Sequence, residues 1–290
     1  MEKWNTPKKP RIGIYTMGLK AYWNQFPGLR ERLLHYGQFI AEKIAEMDAE
    51  VFFYGLADCE EAGESCGEFF NAKNVDLIFA HAGTYVNSSS ILPIHQICKA
   101  PVIILNLQPT ARIAYDRTTT GEWLAHCGAC PVPELSNAFH RSGISCRIIN
   151  GLLGLDHTPD ISLTDENTAA RPEAVRAWKE ISEWVKAASV KRELSGCRFG
   201  FLGNTSNGML DMYSDFTMVQ AQTGAHIEIL EMCDLDRMLR QVTEDEVEKK
   251  KAEIREFFLI SDDKAADPLA QRPTEEQLDW SARVAAAQER

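Results

Sequence analysis

His81, Thr84, Asn87, Asn106 and Gln108 are neutral donors and acceptors that lie at or just after the end of an apolar run. The two runs are residues 75–80 and 101–107. Amide, hydroxyl and imidazole groups of this kind hold hydroxyl-bearing molecules through paired hydrogen bonds rather than through charge. Between the runs, Tyr85-Val-Asn-Ser-Ser-Ser-Ile-Leu-Pro-Ile-His-Gln-Ile-Cys-Lys99 reads as a polar loop leading into a helix. Strand, loop, helix and strand in that order make one unit of a parallel sheet, and ligands of open parallel sheets lie beyond the carboxyl ends of the strands.

Gly18-Leu-Lys-Ala-Tyr-Trp-Asn-Gln-Phe-Pro-Gly28 is a second candidate. Its glycines are too far apart for a dinucleotide fingerprint. Tyr22 and Trp23 could stack on the face of a sugar while Asn24 and Gln25 bond its hydroxyls; an ordered surface loop or a subunit contact is the alternative. His126-Cys-Gly-Ala-Cys130 holds the chain's only Cys-x-x-Cys. A redox pair of this type belongs at the start of a helix close after a strand, and a structural zinc wants four ligands. Here the pair lies well past the strand ending near Leu107, so His126 as a polar contact is the preferred reading. Two further loops, residues 116–122 and 203–211, lie beyond strand ends and are open to either a binding or a structural role. Met209 in the second of these reads as packing or as an apolar wall. The charged run from Glu244 to Glu256 is a solvated helix face. There is no Walker A loop, no G-x-S-x-G elbow and no H-E-x-x-H.

These loops need a scaffold, and the hydrophobic pattern supplies one. Residues 11–17, 50–54, 75–81, 101–107 and 146–150 predict strands, with Gly18, Gly55 and Gly151 closing three of them. Leu33, Leu34, Phe39, Ile40, Ile44 and Met47 recur at helical spacing over residues 29–47. Residues 59–73 predict a helix that Gly63 and Gly67 weaken. Alternating strands and helices imply an α/β fold with a doubly wound, mostly parallel, Rossmann-like sheet. This first domain is expected over residues 1–160. A polar connection and a helix at 172–189 fill residues 161–190. A second α/β domain opens at Cys197 and carries strands at 197–203 and 225–231, a helix at 243–258 with a Thr243/Glu246 capping box, and a helix at 273–290. That last helix stops without a C-cap, and residues 191–290 are expected to be an incomplete domain.

The 290 residues carry 31 basic and 42 acidic side chains, a net charge of −11. That balance argues against nucleic acid or an anionic membrane as partner. No apolar run reaches the ~18 residues of a membrane helix, and residues 1–10 lack the apolar core of a signal peptide. The chain is expected to be cytoplasmic, with its eight cysteines as free thiols.

The loop after the first strand, the strand–His/Thr loop–helix–strand of residues 75–108, the histidine at 126 and the Cys197-Arg-Phe-Gly200 opening with Met209 occur in an order that resembles the L-fucose/L-arabinose isomerase family. The resemblance runs from about Arg11 onward. It implies α/β-rich domains, a closed homo-oligomer whose active sites are shared between subunits, and the interconversion of an aldose and a ketose, a pentose or 6-deoxyhexose. It also implies a divalent metal, usually manganese, that polarises the carbonyl while a carboxylate moves a proton through an enediol. The family's acid, base and metal ligands lie beyond the positions this chain covers, so none is carried over, and this portion alone is expected to be inactive. By position, Leu19, Tyr22, Trp23, Gln108 and His126 match the family's substrate wall, as does Met209 from the second domain; His81 and Thr84 join them from the strand-end reading. Cys127 and Cys130 depart from the family's pattern after the histidine. A non-catalytic sugar-binding or regulatory protein of the same fold is the alternative, and a thiol-redox protein a third.

Overall fold

The computed structural model describes residues 8–158, 166–203, 208–267, 269 and 271–290. The chain divides into two compact units, Met1–Ser195 and Gly196–Arg290. In the first, chain order is β1 (Arg11–Met17), α1 (Leu29–Ala45), β2 (Glu50–Ala57), α2 (Glu60–Lys73), β3 (Leu77–His81), α3 (Ser88–Ile97), β4 (Val102–Gln108), α4 (Thr120–Leu124), α5 (Pro131–Arg141), β5 (Cys146–Leu152) and α6 (Pro172–Leu194). The five strands form one parallel sheet in the order β2-β1-β3-β4-β5. This is the doubly wound α/β arrangement expected from the alternation of strands and helices, with the 2-1-3-4-5 order of flavodoxin-type sheets.

Alternation along the strands gives each face its own core. Ile12, Ile14, Phe79, Ile103, Leu105 and Ile149 pack with Leu33, Tyr36 and Ile40 of α1 and with Trp178 and Ile181 of α6. Tyr15, Ile78, Ala80, Val102 and Ile104 point the other way, onto Phe70, Ile91, Ile94, Leu135 and Phe139 of α2, α3 and α5. Helix α6 therefore belongs to the first unit, whose limit falls at Ser195 and not near residue 160. Its Trp178 is buried and donates its indole N–H to the carbonyl of Leu153 at 2.7 Å. Gly151 and Gly154 leave room for Ala177 and Ala174 of α6, whose Cβ atoms a methyl there would meet at 2.7 and 3.2 Å.

Three glycines behave differently from their sequence reading. Gly55 does not close β2. The strand runs on to Ala57 through a bulge, with Ile14 opposite Phe53 and Tyr15 opposite Gly55, and Gly55 takes φ +102° there. An extra residue in one strand demands such backbone freedom. Gly63 and Gly67 do not weaken α2; they allow α3 to cross it closely. A methyl on Gly63 would lie 2.0 Å from the carbonyl oxygen of Ser90, and one on Gly67 3.0 Å from that of Ile94. Because the obstacle at Gly63 is backbone, Gly63→Ala is expected to destabilise the unit by about 1–3 kcal/mol, the usual cost of overpacking. Urea denaturation would read this directly, and an unchanged midpoint would contradict the close crossing.

The second unit contains β6 (Arg198–Leu202), α7 (Phe216–Thr223), β7 (His226–Leu230), α8 (Met232–Leu239), α9 (Glu244–Phe257) and α10 (Glu275–Gln288). Strands β6 and β7 pair in parallel. Its core is small: Val242 and Val247 pack with Ala282, Ala286 and Ala287 of α10. The capping box at the start of α9 forms as expected, Thr243 and Glu246 each accepting from the other's backbone N–H. Lys251, on the inner side of α9, is held by Asp279 at 2.5 Å and Glu248 at 3.2 Å. Among the described residues no helix is long and apolar enough to cross a membrane.

Candidate functional site

In a 2-1-3-4-5 sheet the order reverses at β1, so the chain leaves β1 and β3 towards opposite faces and a crevice opens beyond their carboxyl ends. The residues there come from the loops after β1, β3 and β4. The loop after β1 makes a 3₁₀ turn at Lys20–Tyr22. It is tied to the end of β2 by Gly18 N–H to Ala57 O and Lys20 N–H to Asp58 O, both 3.1 Å. Trp23 completes the anchor by donating its indole N–H to the Asp58 carboxylate at 2.6 Å. Its ring lies against Gly18, where a methyl would meet it at 2.8 Å. Trp23 thus spends its polar group and one face on positioning the loop. Leu19 is half-buried ahead of the turn. Tyr22 is half-buried too, meeting Phe26 edge-on at 5.8 Å, and its phenol is the part of the loop that reaches Cys127 and Cys130. Burial chiefly, and then these two thiols, push its pKa up.

His81 and Thr84 do not face the crevice. His81 is 1% exposed, and its Nδ1 shares a hydrogen bond of 3.2 Å with the hydroxyl of Thr16 on the neighbouring strand. Burial lowers its pKa to about 3, so the ring is neutral. Thr84 is fully buried, and among the described residues its hydroxyl has no hydrogen-bond partner. Both are interior residues of the β1–β3 junction, not wall residues. For His81 the pairing with Thr16 causes this, and that partner is not visible in residues 75–84 alone.

Gln108 and His126 do reach the carboxyl edge. The amides form a row on β4 and β5: Gln108 Nε2 donates to Asn106 Oδ1 at 3.4 Å, and Asn106 Nδ2 donates to Asn150 Oδ1 at 2.7 Å. Asn150 is exposed and stands opposite Asn106 in the strand register. Sequence reasoning took it only as the end of a strand; its position two residues before β5 ends was the available signal. His126 lies 3.0 Å from Glu122 O through Nδ1 and 2.8 Å from Thr110 Oγ1 through Nε2. A carbonyl can only accept, so Nδ1 carries the proton. Burial lowers the His126 pKa, and Nε2 faces the oxygen of Thr110, whose hydroxyl hydrogen goes to the carbonyl of Arg112 at 2.6 Å. His126 therefore braces the loops after β4 more than it offers a free donor.

The turn after His126 settles onto the end of β3. A methyl on Gly128 would lie 2.1 Å from Ala82 O and 3.6 Å from Gln108 Nε2. Opposite it, Tyr85 donates to Glu134 Oε2 at 3.1 Å, while Glu134 Oε1 accepts from Ser88 N–H at 2.9 Å. The backbone N–H of Ser88 foremost holds the Glu134 carboxyl below its usual range, and donation to Glu134 raises the Tyr85 pKa. Tyr22, Tyr85, Gln108, Cys127, Cys130 and Glu134 thus meet over the ends of β1, β3 and β4. Beside them, residues 25–29 and 119–122 line an open cleft of about 440 Å³ with Arg32 and Glu122 at its base. That pair is an ion pair with side chains 3% and 2% exposed, and Arg32 Nε also donates to the Tyr36 hydroxyl at 2.7 Å.

Met209 lies in the second unit, just before a 3₁₀ turn at Leu210–Met212, and is 48% exposed. The polar residues 204–207 of the same loop lie outside the described residues. Of the other loop left open by sequence, residues 116–122, Asp116 and Arg117 are exposed and pair with each other at 3.7 Å.

No family model matches the sequence, and no curated protein does. Two solved structures share a weak likeness. A proposed acylhydrolase from Bacteroides fragilis is 10% identical at a TM-score of 0.32, over 66% of this chain and 94% of its own. A periplasmic solute-binding protein of an ABC transporter from Actinobacillus succinogenes, solved with D-allose, is 12% identical at a TM-score of 0.27, over 86% of this chain and 66% of its own. At these values neither bears on the chemistry of this chain.

Proposed function

We propose that the carboxyl edge of the first unit binds a small polyhydroxylated molecule. We propose further that the chain supplies the substrate wall of an aldose–ketose isomerase of the L-fucose/L-arabinose isomerase type, working in a homo-oligomer. The observation that carries the binding is the row Gln108–Asn106–Asn150 at the carboxyl edge: neutral amides suit sugar hydroxyls. The isomerase assignment rests on the resemblance in motif order.

The proposed metal is manganese or another divalent ion. Among the described residues no three His, Cys, Asp or Glu side chains gather as a metal site. The residues present do not fit the ion, and no step through it is assigned to them. The carboxylates nearest the crevice are committed to structure, Glu122 to Arg32 and Glu134 to Ser88 and Tyr85. What remains for this chain is to bind and orient the substrate.

Calorimetric titration with L-fucose, L-arabinose and related pentoses tests the wall. Saturable binding is expected, weakened about three- to tenfold by Gln108→Ala, the value of one neutral hydrogen bond. Failure of every sugar to bind would remove the wall. Manganese-dependent entry of solvent deuterium at the sugar C2 tests the isomerase separately, in protein that includes any sequence following Arg290. Binding without such exchange would leave a non-catalytic sugar-binding protein.

A further inference from the structure

Cys127 and Cys130 sit where a working dithiol would. Their sulfurs are 2.6 Å apart. Cys127 belongs to a 3₁₀ turn, Cys127–Ala129, and Cys130 is the N-cap of α5, with Pro131 at the first helical position. The pair looks distant from any strand in sequence, because residues 109–126 intervene. In space the turn rests on the end of β3, with Gly128 packed against Ala82. The strand-end, helix-start setting that the sequence withheld is therefore present. Nucleophilic cysteines favour helix N-termini.

The two thiols also differ as a dithiol requires. Cys130 is exposed and Cys127 is 5% exposed. Burial, reinforced by Cys130, pushes the Cys127 thiol up to about 12. An incoming reagent meets Cys130 first, while Cys127 stays protonated within reach of it.

We propose that Cys127 and Cys130 form a reversible dithiol–disulfide site, with Cys130 the attacking thiol, Cys127 the resolving thiol and a small-molecule disulfide as oxidant. In the first step the Cys130 sulfur, having lost its proton to solvent, attacks one sulfur of the small disulfide. The reagent's S–S bond breaks, one thiolate leaves, and a mixed disulfide forms at Cys130. Cys127 then gives up its proton and attacks the Cys130 sulfur. The mixed disulfide breaks and the second thiolate leaves with that proton. The protein loses two electrons and two protons, and the small disulfide becomes two thiols. Reversal needs only an excess of small thiol. The site stands on its own geometry and does not depend on sugar binding or isomerisation.

Equilibration of the native protein in buffers of reduced and oxidised glutathione, followed by acid quench, alkylation and peptide mass mapping, tests it. In the oxidised buffer the peptide spanning the pair is expected to lose two hydrogens, and to regain them in the reduced buffer. With limiting alkylating agent Cys130 is expected to label at least about tenfold faster than Cys127, as the exposure of the one and the burial of the other dictate. Cys127→Ser should accumulate the mixed disulfide at Cys130, and Cys130→Ser should leave Cys127 unmodified. A pair that stays reduced, a glutathione adduct that persists at Cys130 in the native protein, or faster labelling of Cys127 would each overturn the proposal. The native-protein mapping decides even where a variant fails to fold.

Discussion

Glu122→Gln is expected to cost the first unit about 3–5 kcal/mol, the penalty for removing one partner of a buried ion pair. The substitution keeps the shape of the side chain and removes its charge. Arg32 is then left with a guanidinium 3% exposed, its Nε still bonded to Tyr36 but the carboxylate charge of Glu122 gone. Burial opposes the charge on Arg32, and the bonds to Glu122 and Tyr36 outweigh it, so its pKa is raised in the intact protein. Removal of both partners together, as Arg32→Met with Glu122→Leu, is expected to cost far less, since a buried pair replaced by apolar residues of similar volume is often neutral. Urea midpoints of the wild type, the single variant and the double variant would decide the matter. Equal losses in the single and double variants would mean that packing, not charge, holds α4 to α1.

Acidification from pH 7 to pH 5 is expected to remove roughly 4 kcal/mol from the same unit, through two histidines that cannot take up a proton without unfolding. Burial lowers the pKa of both His81 and His95 to about 3, against 6.5 in an unfolded chain. As pH falls through 6.5 the unfolded chain binds protons that the folded one refuses. The stabilisation is therefore complete above that value and declines towards pH 3. His95 shares a bond of 3.1 Å with the Tyr15 hydroxyl on the opposite face of β1 from Thr16 and His81, so the two sites are separate and their effects should add. Glu134, held low by Ser88, pushes in the same direction below about 4.5. Proton NMR of the native protein gives the direct reading. Two imidazoles should stay neutral down to the acid transition, and titration of all seven histidines near 6.5 would sink the account.

How far this molecule could be read from its residues depends on the range of the forces involved. The span of β1 and the runs around β3 and β4 are local hydrophobic signals, and the doubly wound sheet follows from them. Helix α5 was legible too: Val132, Leu135 and Phe139 face the core, and Pro131 suits a helix start. Strand ends were misjudged at Gly55 and Gly151, because a bulge and the approach of α6 permit glycine inside a strand. Partners distant in sequence decided the rest. His81 is interior because Thr16 lies beside it, and Glu122 because Arg32 lies ninety residues earlier. Gln108 ends β4 and His126 lies in the loops that follow it, while Trp23 and His81 serve the scaffold through Asp58 and Thr16.

The amide row on β4 and β5 has a direction. Each side chain donates to the next, from Gln108 through Asn106 to Asn150. The chain of dipoles therefore ends in a carbonyl oxygen at Gln108 and an N–H at Asn150. A molecule lying along it is asked for a proton at one end and offered one at the other. A hydroxyl can answer at both ends by turning, whereas an ether or carbonyl oxygen has no hydrogen to give the Gln108 oxygen and can only accept from the N–H groups of the row. The edge of the sheet thus has a polarity.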